Sequence, residues 1–535
     1  MLVRITSAKC IGIEARAVTV EVNVSNGIGI HLVGLADVAV KESLLRTVTA
    51  LQSVGFRVPG KKIVINLAPA DVHKRGSGYD LPIALGIIAA SGQMEMPESG
   101  RFIIVGELGL DGTVRAVKGA LPIAEYAGRN GFEGCILPLE SATDTAGFNC
   151  CKVYGVRNIA EVLAVVCGRP DRERLVVDES FAVSVDRKES DDEGIMDFAE
   201  IVGQQAAKRG VEIAACGGHN IIMVGPPGSG KSSLARAMCR ILPPLSPEEA
   251  LQTCKIFSAA GRGIPGCERA GRPFRAPHVT TSVPALVGGG SDNMVPGEIS
   301  LAHNGILFLD EFCEIPRHTT EVLRAPLEDG RIVLSRLKTK VEFPASFTLV
   351  AATNPCPCGY YGEGDRCTCT VGARKAYLAR LSGPIMDRID IQIYLHPVPV
   401  AELMNGARQE CSESVARRVA AVRRIQKERF LGTGIFCNAR MNGRMLKKFC
   451  PLDAGCSEFL EKMVDRAGMS ARAVTRIVKL SRTISDIAAV IESGAGGTDA
   501  GELSPADLRK LVERPITIDD ISEAVSYRFL DKRVL

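Results

Sequence analysis

Residues 221–238, IIMVGPPGSGKSSLARAM, restrict this chain more than any other stretch. An apolar run that reads as a buried strand enters Gly225-Pro226-Pro227-Gly228-Ser229-Gly230-Lys231-Ser232, and a helical pattern follows. This is G-x-x-x-x-G-K-[ST] in the strand–loop–helix setting that the motif requires. The glycines let backbone N–H groups turn inward around phosphate oxygens, and the helix N-terminus adds a favourable partial charge. Lys231 is then placed to reach the β- and γ-phosphates and the Ser232 hydroxyl to ligate Mg²⁺. A parallel α/β core holding ATP and Mg²⁺ is the expectation.

Two further strands fit that core. ILFLDE (306–311) is an apolar strand with Asp310 and Glu311 at its C-terminal end, where open α/β sheets place their ligand chemistry. Asp310 suits Mg²⁺ coordination and Glu311 suits polarising an attacking water; alone, the pair would read as surface acids ending a strand. FTLVAATN (347–354) ends in Asn354, whose amide can orient that water or sense the γ-phosphate. GPIMDRIDI (383–391) carries Arg388. An arginine supplied by a neighbouring subunit accelerates phosphoryl transfer greatly, although a surface salt bridge is the plainer reading of an isolated arginine.

With 535 residues the chain has room for three or four structural units. Residues 1–170 read as one α/β unit, with strands at 18–24 and 62–69 and a helix at 80–92. The polar stretch 171–194 reads as a linker, 195–397 as the nucleotide core, and 398–535 as a helical region containing amphipathic helices at 414–430 and 471–493. The net charge is only +4, but residues 405–482 hold 17 Lys/Arg against 7 Asp/Glu. That local excess suits a polyanionic partner or, equally, solvated helix faces. Trp is absent and aromatics are 5%, which disfavours a single-strand binder built on stacking. The N-terminus lacks the apolar core of a signal peptide and no long uncharged apolar run appears, so a cytoplasmic protein without a membrane span is expected.

Cys356, Cys358, Cys367 and Cys369 form a C-x-C…C-x-C array. Four thiolates suit a tetrahedral Zn²⁺ of structural character; free thiols in a surface loop are the alternative. In RIVLSRLKTKVEFP (331–344), Arg336, Lys338 and Lys340 recur at period two. That spacing places the three on one face of a strand or hairpin, suited to gripping phosphates without reading sequence; a solvated strand face is the alternative.

Several longer strings resemble the YifB/ComM family of magnesium-chelatase-like AAA+ ATPases. They are VGLADVAVKESLLR (33–46), VINLAPADVHKRGSGYDLPIALG (64–86), IVGELGLDGTVRAVKGALPIA (104–124), RPFRAPH (272–278), PGEISLAHNGILFLDE (296–311), NPCPCGYY (354–361), RLSGPIMDRID (380–390) and SARAVTRIVKLSRTI (470–484). The resemblance implies a Lon-protease-like (ribosomal S5 domain 2-type) N-terminal domain, an AAA+ core and a C-terminal helical lid. It implies a hexameric ring in which Arg388 is the finger reaching the next subunit and Arg472 the second sensor. It places the 331–344 hairpin toward the ring pore. Its ComM members are implied to be DNA helicases that drive branch migration during natural transformation, alongside recombination proteins. The family commonly has two adjacent histidines after RPFR-x-P, whereas His278 is followed here by Val279. A Lon-type protease needs a serine and an activating lysine. Alignment puts Gly78 at the serine place, with Ser77 one residue early, and Pro122 at the lysine place, so a non-proteolytic domain is expected.

Three rival readings are a chelatase-type motor subunit, which the N-terminal domain and the cysteine array argue against, an ATP-dependent protease, which the missing Ser/Lys pair disfavours, and a nucleotide-gated scaffold for recombination proteins.

Overall fold

The computed structural model describes residues 1–34, 38–69, 76–178, 196–263, 271–290, 294–336, 339–399, 402, 409–494 and 505–531. Most of the expected linker, Lys338 and most of the Gly-rich 494–502 stretch lie outside the described residues.

The N-terminal third builds two sheets. Strands β1 (Leu2–Ile11), β2 (Glu14–Ser25), β3 (Ile30–Val33) and β4 (Lys62–Ala68) pair in the order β1-β2-β4-β3. From Val18 onward β2 alternates buried Val18, Val20 and Val22 with partly exposed residues, the period-two pattern of a half-buried strand. Helix α1 (Val38–Ser53) precedes β4. Helix α2 (Asp80–Ala90) is apolar all round and almost wholly buried, as a helix without a polar face must be. Parallel strands β5 (Phe102–Ile104), β6 (Gly134–Pro138) and β7 (Lys152–Val156) form the second sheet, crossed by α3 (Ala120–Arg129). Beyond it, Pro170–Leu175 makes a 3-10 turn and the Val177 N–H donates to the Val153 carbonyl. The polar stretch expected to act as linker from 171 is thus packed onto this sheet as far as Val177.

In chain order, the next elements are α4 (Gln205–Gly217), β8 (Ile221–Val224), α5 (Lys231–Ile241), α6 (Pro247–Ala260), β9 (Phe274–Arg275), β10 (Ile306–Leu309), α7 (Arg324–Asp329), β11 (Arg331–Arg336), β12 (Thr339–Pro344), β13 (Thr348–Thr353) and β14 (Ile391–Tyr394). Five of the strands form one parallel sheet, β9-β10-β13-β8-β14. The four residues of β8 and those of β10 are buried, which is why both read as unbroken apolar runs.

The C-terminal helices include α8 (Ser412–Arg429), α9 (Ala454–Ala467), α10 (Ala471–Glu492) and α11 (Ile518–Ser526). Val415 and Val422 of α8 and Ile477, Leu480 and Ile484 of α10 enter the same apolar core as Val211, Met223 and Met238 of the sheet layer. The Arg429–Asp486 pair is wholly buried and is completed by Asn438 and Arg482. Breaking such a pair from one side costs about 3–5 kcal/mol, because a buried charge is left unmatched.

The N-terminal third packs on the nucleotide core through α6. Lys255 of α6 is buried against Glu125 of α3 at 2.6 Å, and Ser258 accepts the N–H groups of Gly119 and Leu121 at the start of α3. Gly12, at the β1–β2 turn with φ +67°, lies so close to Val341 of β12 that a Cβ there would stand 2.7 Å from its methyl group.

Candidate nucleotide site

β8, β10 and β13 lie side by side and parallel, so their C-terminal ends deliver Gly225, Asp310 and Asn354 to one rim of the sheet. Gly228 and Gly230 both adopt positive φ, at 76° and 90°, and Gly230 is the N-cap of α5. This backbone turns the loop tightly enough for Lys231 to fold back over it. The Lys231 ammonium donates to the carbonyls of Gly225 (2.6 Å) and Pro226 (2.8 Å) and to Asn354 Oδ1 (3.3 Å). Burial draws its pKa down, and the carboxylates of Asp310 and Glu311 oppose that shift. Ser232 Oγ donates to Asp310 Oδ2 at 3.1 Å. A hydroxyl and a carboxylate at this spacing are hard oxygen donors of the kind Mg²⁺ takes, so the residues fit the ion.

Glu311 is one of only three non-glycine residues with positive φ among the described residues, at 48°. Its N–H donates to Asp310 Oδ1 (2.8 Å), its carbonyl accepts the Glu314 N–H (2.7 Å), and Phe312 N–H reaches back to Ala352 of β13 (2.8 Å). These ties hold an uncommon backbone conformation and leave the Glu311 side chain exposed at the sheet rim. Strained positions of this kind cluster at active sites.

Arg388 and Arg472 make their contacts elsewhere. Arg388 follows the short helical turn Gly383–Met386, is 6% exposed, and donates Nη1–H to the Pro384 carbonyl (2.6 Å) while its Nη2 meets Glu328 of α7. Arg472, in the first turn of α10, is exposed and pairs with Asp387 at 2.8 Å.

Two features of this region were not legible beforehand. Gln204 precedes α4 in the left-handed region and its amide donates to the carbonyls of Ser229 (3.2 Å) and His396 (2.5 Å), clamping the phosphate loop to the segment after β14. His219 lies one residue before Asn220 and two before β8, wholly buried, with Nδ1 on Asp390 (3.1 Å) and Nε2 on Thr483 of α10 (2.7 Å). Burial holds this imidazole below its usual range. Arg476 also pairs with Asp390, and Asn220 donates to the Arg388 carbonyl. One polar tie therefore joins the strand entering the phosphate loop, the Arg388 segment and the long helix α10.

The four cysteines converge as their spacing suggested. Their Sγ atoms all lie within 4.8 Å of one another, with separations of 3.3 Å (Cys356–Cys358), 3.7 Å (Cys358–Cys367) and 3.8 Å (Cys356–Cys367). A regular tetrahedron with Zn–S bonds of ~2.3 Å has edges of ~3.8 Å, so the set fits Zn²⁺. The Tyr360 N–H draws the Cys358 thiol down to about 6. Gly359, at φ +87°, passes so close to Pro227 that a Cβ would stand 3.0 Å from its ring, and the Tyr361 carbonyl accepts the Tyr394 hydroxyl at 2.7 Å. The cysteine loop thus leans on the phosphate loop and on the strand beside it. Protein purified under reducing conditions is expected to carry about one Zn²⁺ per chain, and changing Cys356 and Cys358 to Ser should lower thermal stability, since structural zinc contributes folding free energy. Elemental analysis at background level would refute this.

The cation line of 331–344 does not form as expected. β11 and β12 are antiparallel, pairing Arg336 with Thr339 and Ser335 with Lys340. Cross-strand partners share a face, so Lys340 stands with Ser335: the period-two count assumed one strand, and the chain makes two. Lys340 is on the exposed face.

The "Uncharacterized protein YifB" of Salmonella typhimurium is 38% identical over 98% of this chain and 96% of its own length. The "Competence protein ComM" of Haemophilus influenzae is 41% identical over 90% of this chain and 93% of its own. The chain belongs to the YifB/ComM family. Family models described as "Magnesium chelatase, subunit ChlI", "Subunit ChlI of Mg-chelatase" and "Magnesium chelatase, subunit ChlI C-terminal" match residues 197–403, 20–141 and 409–494. The YifB/ComM chain is thereby a magnesium-chelatase-like AAA+ ATPase. One expectation needs correction: a leader like this one does not argue against a chelatase subunit, because a model bearing that description matches residues 20–141. Extent separates them better, since the "Magnesium-chelatase 38 kDa subunit" of Cereibacter sphaeroides is 26% identical over only 30% of this chain.

Proposed function

We propose that this ATPase is a ring-shaped DNA motor, a homo-hexamer that drives branch migration during recombination and natural transformation, in the cytoplasm and beside recombination proteins. The observation that carries the ATPase part is the convergence of Lys231, Ser232, Asp310 and Asn354 on one rim of a parallel sheet. Lys231 and the loop N–H groups hold the triphosphate, and Ser232 and Asp310 hold Mg²⁺, which neutralises charge developing on the β- and γ-oxygens. Glu311 polarises the attacking water, Asn354 orients it, and Arg388 of one subunit meets the nucleotide of the next. Arg472 brings α10 to respond to the same event, with residues 398–535 as the lid over the 195–397 core. Residues 1–170 serve as a non-proteolytic domain: Pro122 is buried in α3 and the Ser77 hydroxyl is engaged by Glu107.

The DNA part is supported by the ComM relative's designation as a competence protein, by the basic excess in 405–482 and by Lys340 on the exposed face of the β11–β12 pair. No helix among the described residues is long and apolar enough to cross a membrane. ATPase rates measured without DNA and with single-stranded, duplex and four-way DNA test this reading. Turnover should rise several-fold with DNA and most with branched or single-stranded forms. Equal rates in every arm would remove DNA as the track and favour a chelatase-type motor, while stimulation without strand displacement on a fork would favour the scaffold.

A further inference from the structure

Glu328 belongs to no motif, yet three arginines bear on it. It lies in the last turn of the short helix α7 with 57% of its side chain exposed, while its partner Arg388 is only 7% exposed. The hydrogen bond from Arg388 holds the Glu328 carboxyl below its ordinary range, and the charges of Arg388, Arg472 and Arg324 add to that. Of these, Arg324 already pairs with Glu321 and Arg472 with Asp387. Arg388 has its Nη1 on the Pro384 carbonyl and its Nη2 on Glu328, and its buried Nε has no acceptor among the described residues. A buried guanidinium with an unmet donor, paired with one exposed carboxylate, is poised to exchange that carboxylate for another anion.

We propose that Glu328 is a positioning residue for ATP hydrolysis: its carboxylate keeps the Arg388 guanidinium drawn back against the Gly383–Met386 turn and yields it to the γ-phosphate bound by the adjoining subunit. This rests on reading Arg388 as the finger. A phosphate oxygen outcompetes the carboxylate because it carries more charge and can engage Nη2 and Nε together, whereas Glu328 takes Nη2. The contact is therefore a threshold that must be crossed before the finger acts. It also spares the arginine from standing buried and uncompensated when no phosphate faces it.

The experiment is steady-state ATPase kinetics on the full chain with Glu328→Gln, Arg388→Ala and the double variant, at concentrations where the native ring is assembled. Gln keeps the shape and one acceptor oxygen but not the charge. Lowering the threshold should raise kcat/KM for ATP about two- to fivefold, the size of a half-exposed ion pair, and chiefly through kcat. The gain should vanish in the Arg388→Ala background. A merely structural Glu328 would instead lower kcat/KM together with the melting temperature. An unchanged or reduced kcat/KM in Glu328→Gln overturns the proposal, as does a gain that survives Arg388→Ala. If Arg388→Ala alone turns over like the native chain, the finger reading itself fails, which is a distinct result. Should Glu328→Gln not fold, Glu328→Asp, which keeps the charge but withdraws it by one methylene, should give a smaller gain in the same direction; no gain there overturns the proposal.

Discussion

An Arg388→Ala chain should bind ATP nearly as the native protein does and hydrolyse it about 10³–10⁵-fold more slowly, the range seen when a trans-acting arginine is lost. Binding survives because the phosphate loop, Lys231 and the Ser232–Asp310 pair make no contact with Arg388. Turnover falls because charge spreading over the γ-phosphoryl oxygens loses its cation. The removed guanidinium is buried, so its loss also frees Glu328, and a melting curve beside the kinetics separates misfolding from lost catalysis. Mixing subunits makes the test sharper. Lys231→Ala abolishes hydrolysis at its own loop but leaves Arg388 intact. Rings mixed from Lys231→Ala and Arg388→Ala chains should regain part of the native rate, because some interfaces join an intact loop to an intact arginine. Mixed rings verified by mass that show no rescue would mean that both residues serve one chain's site.

Glu311→Gln should retain ATP binding while turnover drops by about 10²–10⁴, the usual worth of a positioned general base. The substitution is unusually clean here. The strained φ of 48° is maintained by the Asp310 Oδ1 contact to residue 311's own N–H and by the Phe312–Ala352 hydrogen bond, neither of which uses the Glu311 side chain. An amide cannot take up the proton, so assembled, ATP-loaded particles should accumulate and be visible by mass or light scattering. Loss of nucleotide binding in this variant would show that Glu311 had been given the wrong role.

What could be read from the chain alone was what depends on neighbours in sequence. The phosphate loop is contiguous, its glycines sit where positive φ is needed, and the apolar runs before Gly225, Asp310 and Asn354 are strands because a parallel sheet is buried on both faces. The amphipathic stretches 414–430 and 471–493 became α8 and α10 within two residues at each end. The C-x-C pairs met because a short loop can close between them. The N-terminal third disclosed its strands by alternation for the same reason.

Tertiary structure decided the rest. Nothing near Arg388 in sequence indicates that its guanidinium is buried against Glu328, 60 residues earlier, or that Asn220 holds its carbonyl. His219, Asp390 and Thr483 are each ordinary alone; they matter because the fold brings Asp390 and Thr483 within 3.1 Å of the two ring nitrogens of His219 and away from water, where a polar group must find a partner. Gln204 clamps the loop only because the segment after β14 returns beside it. The period-two cations on 331–344 misled for the opposite reason, since alternation counts residues along one strand and the pairing of β11 with β12 reverses the chain within the count. Side-chain chemistry and local backbone preference are written residue by residue, whereas which distant carboxylate an arginine meets is set by how the layers stack.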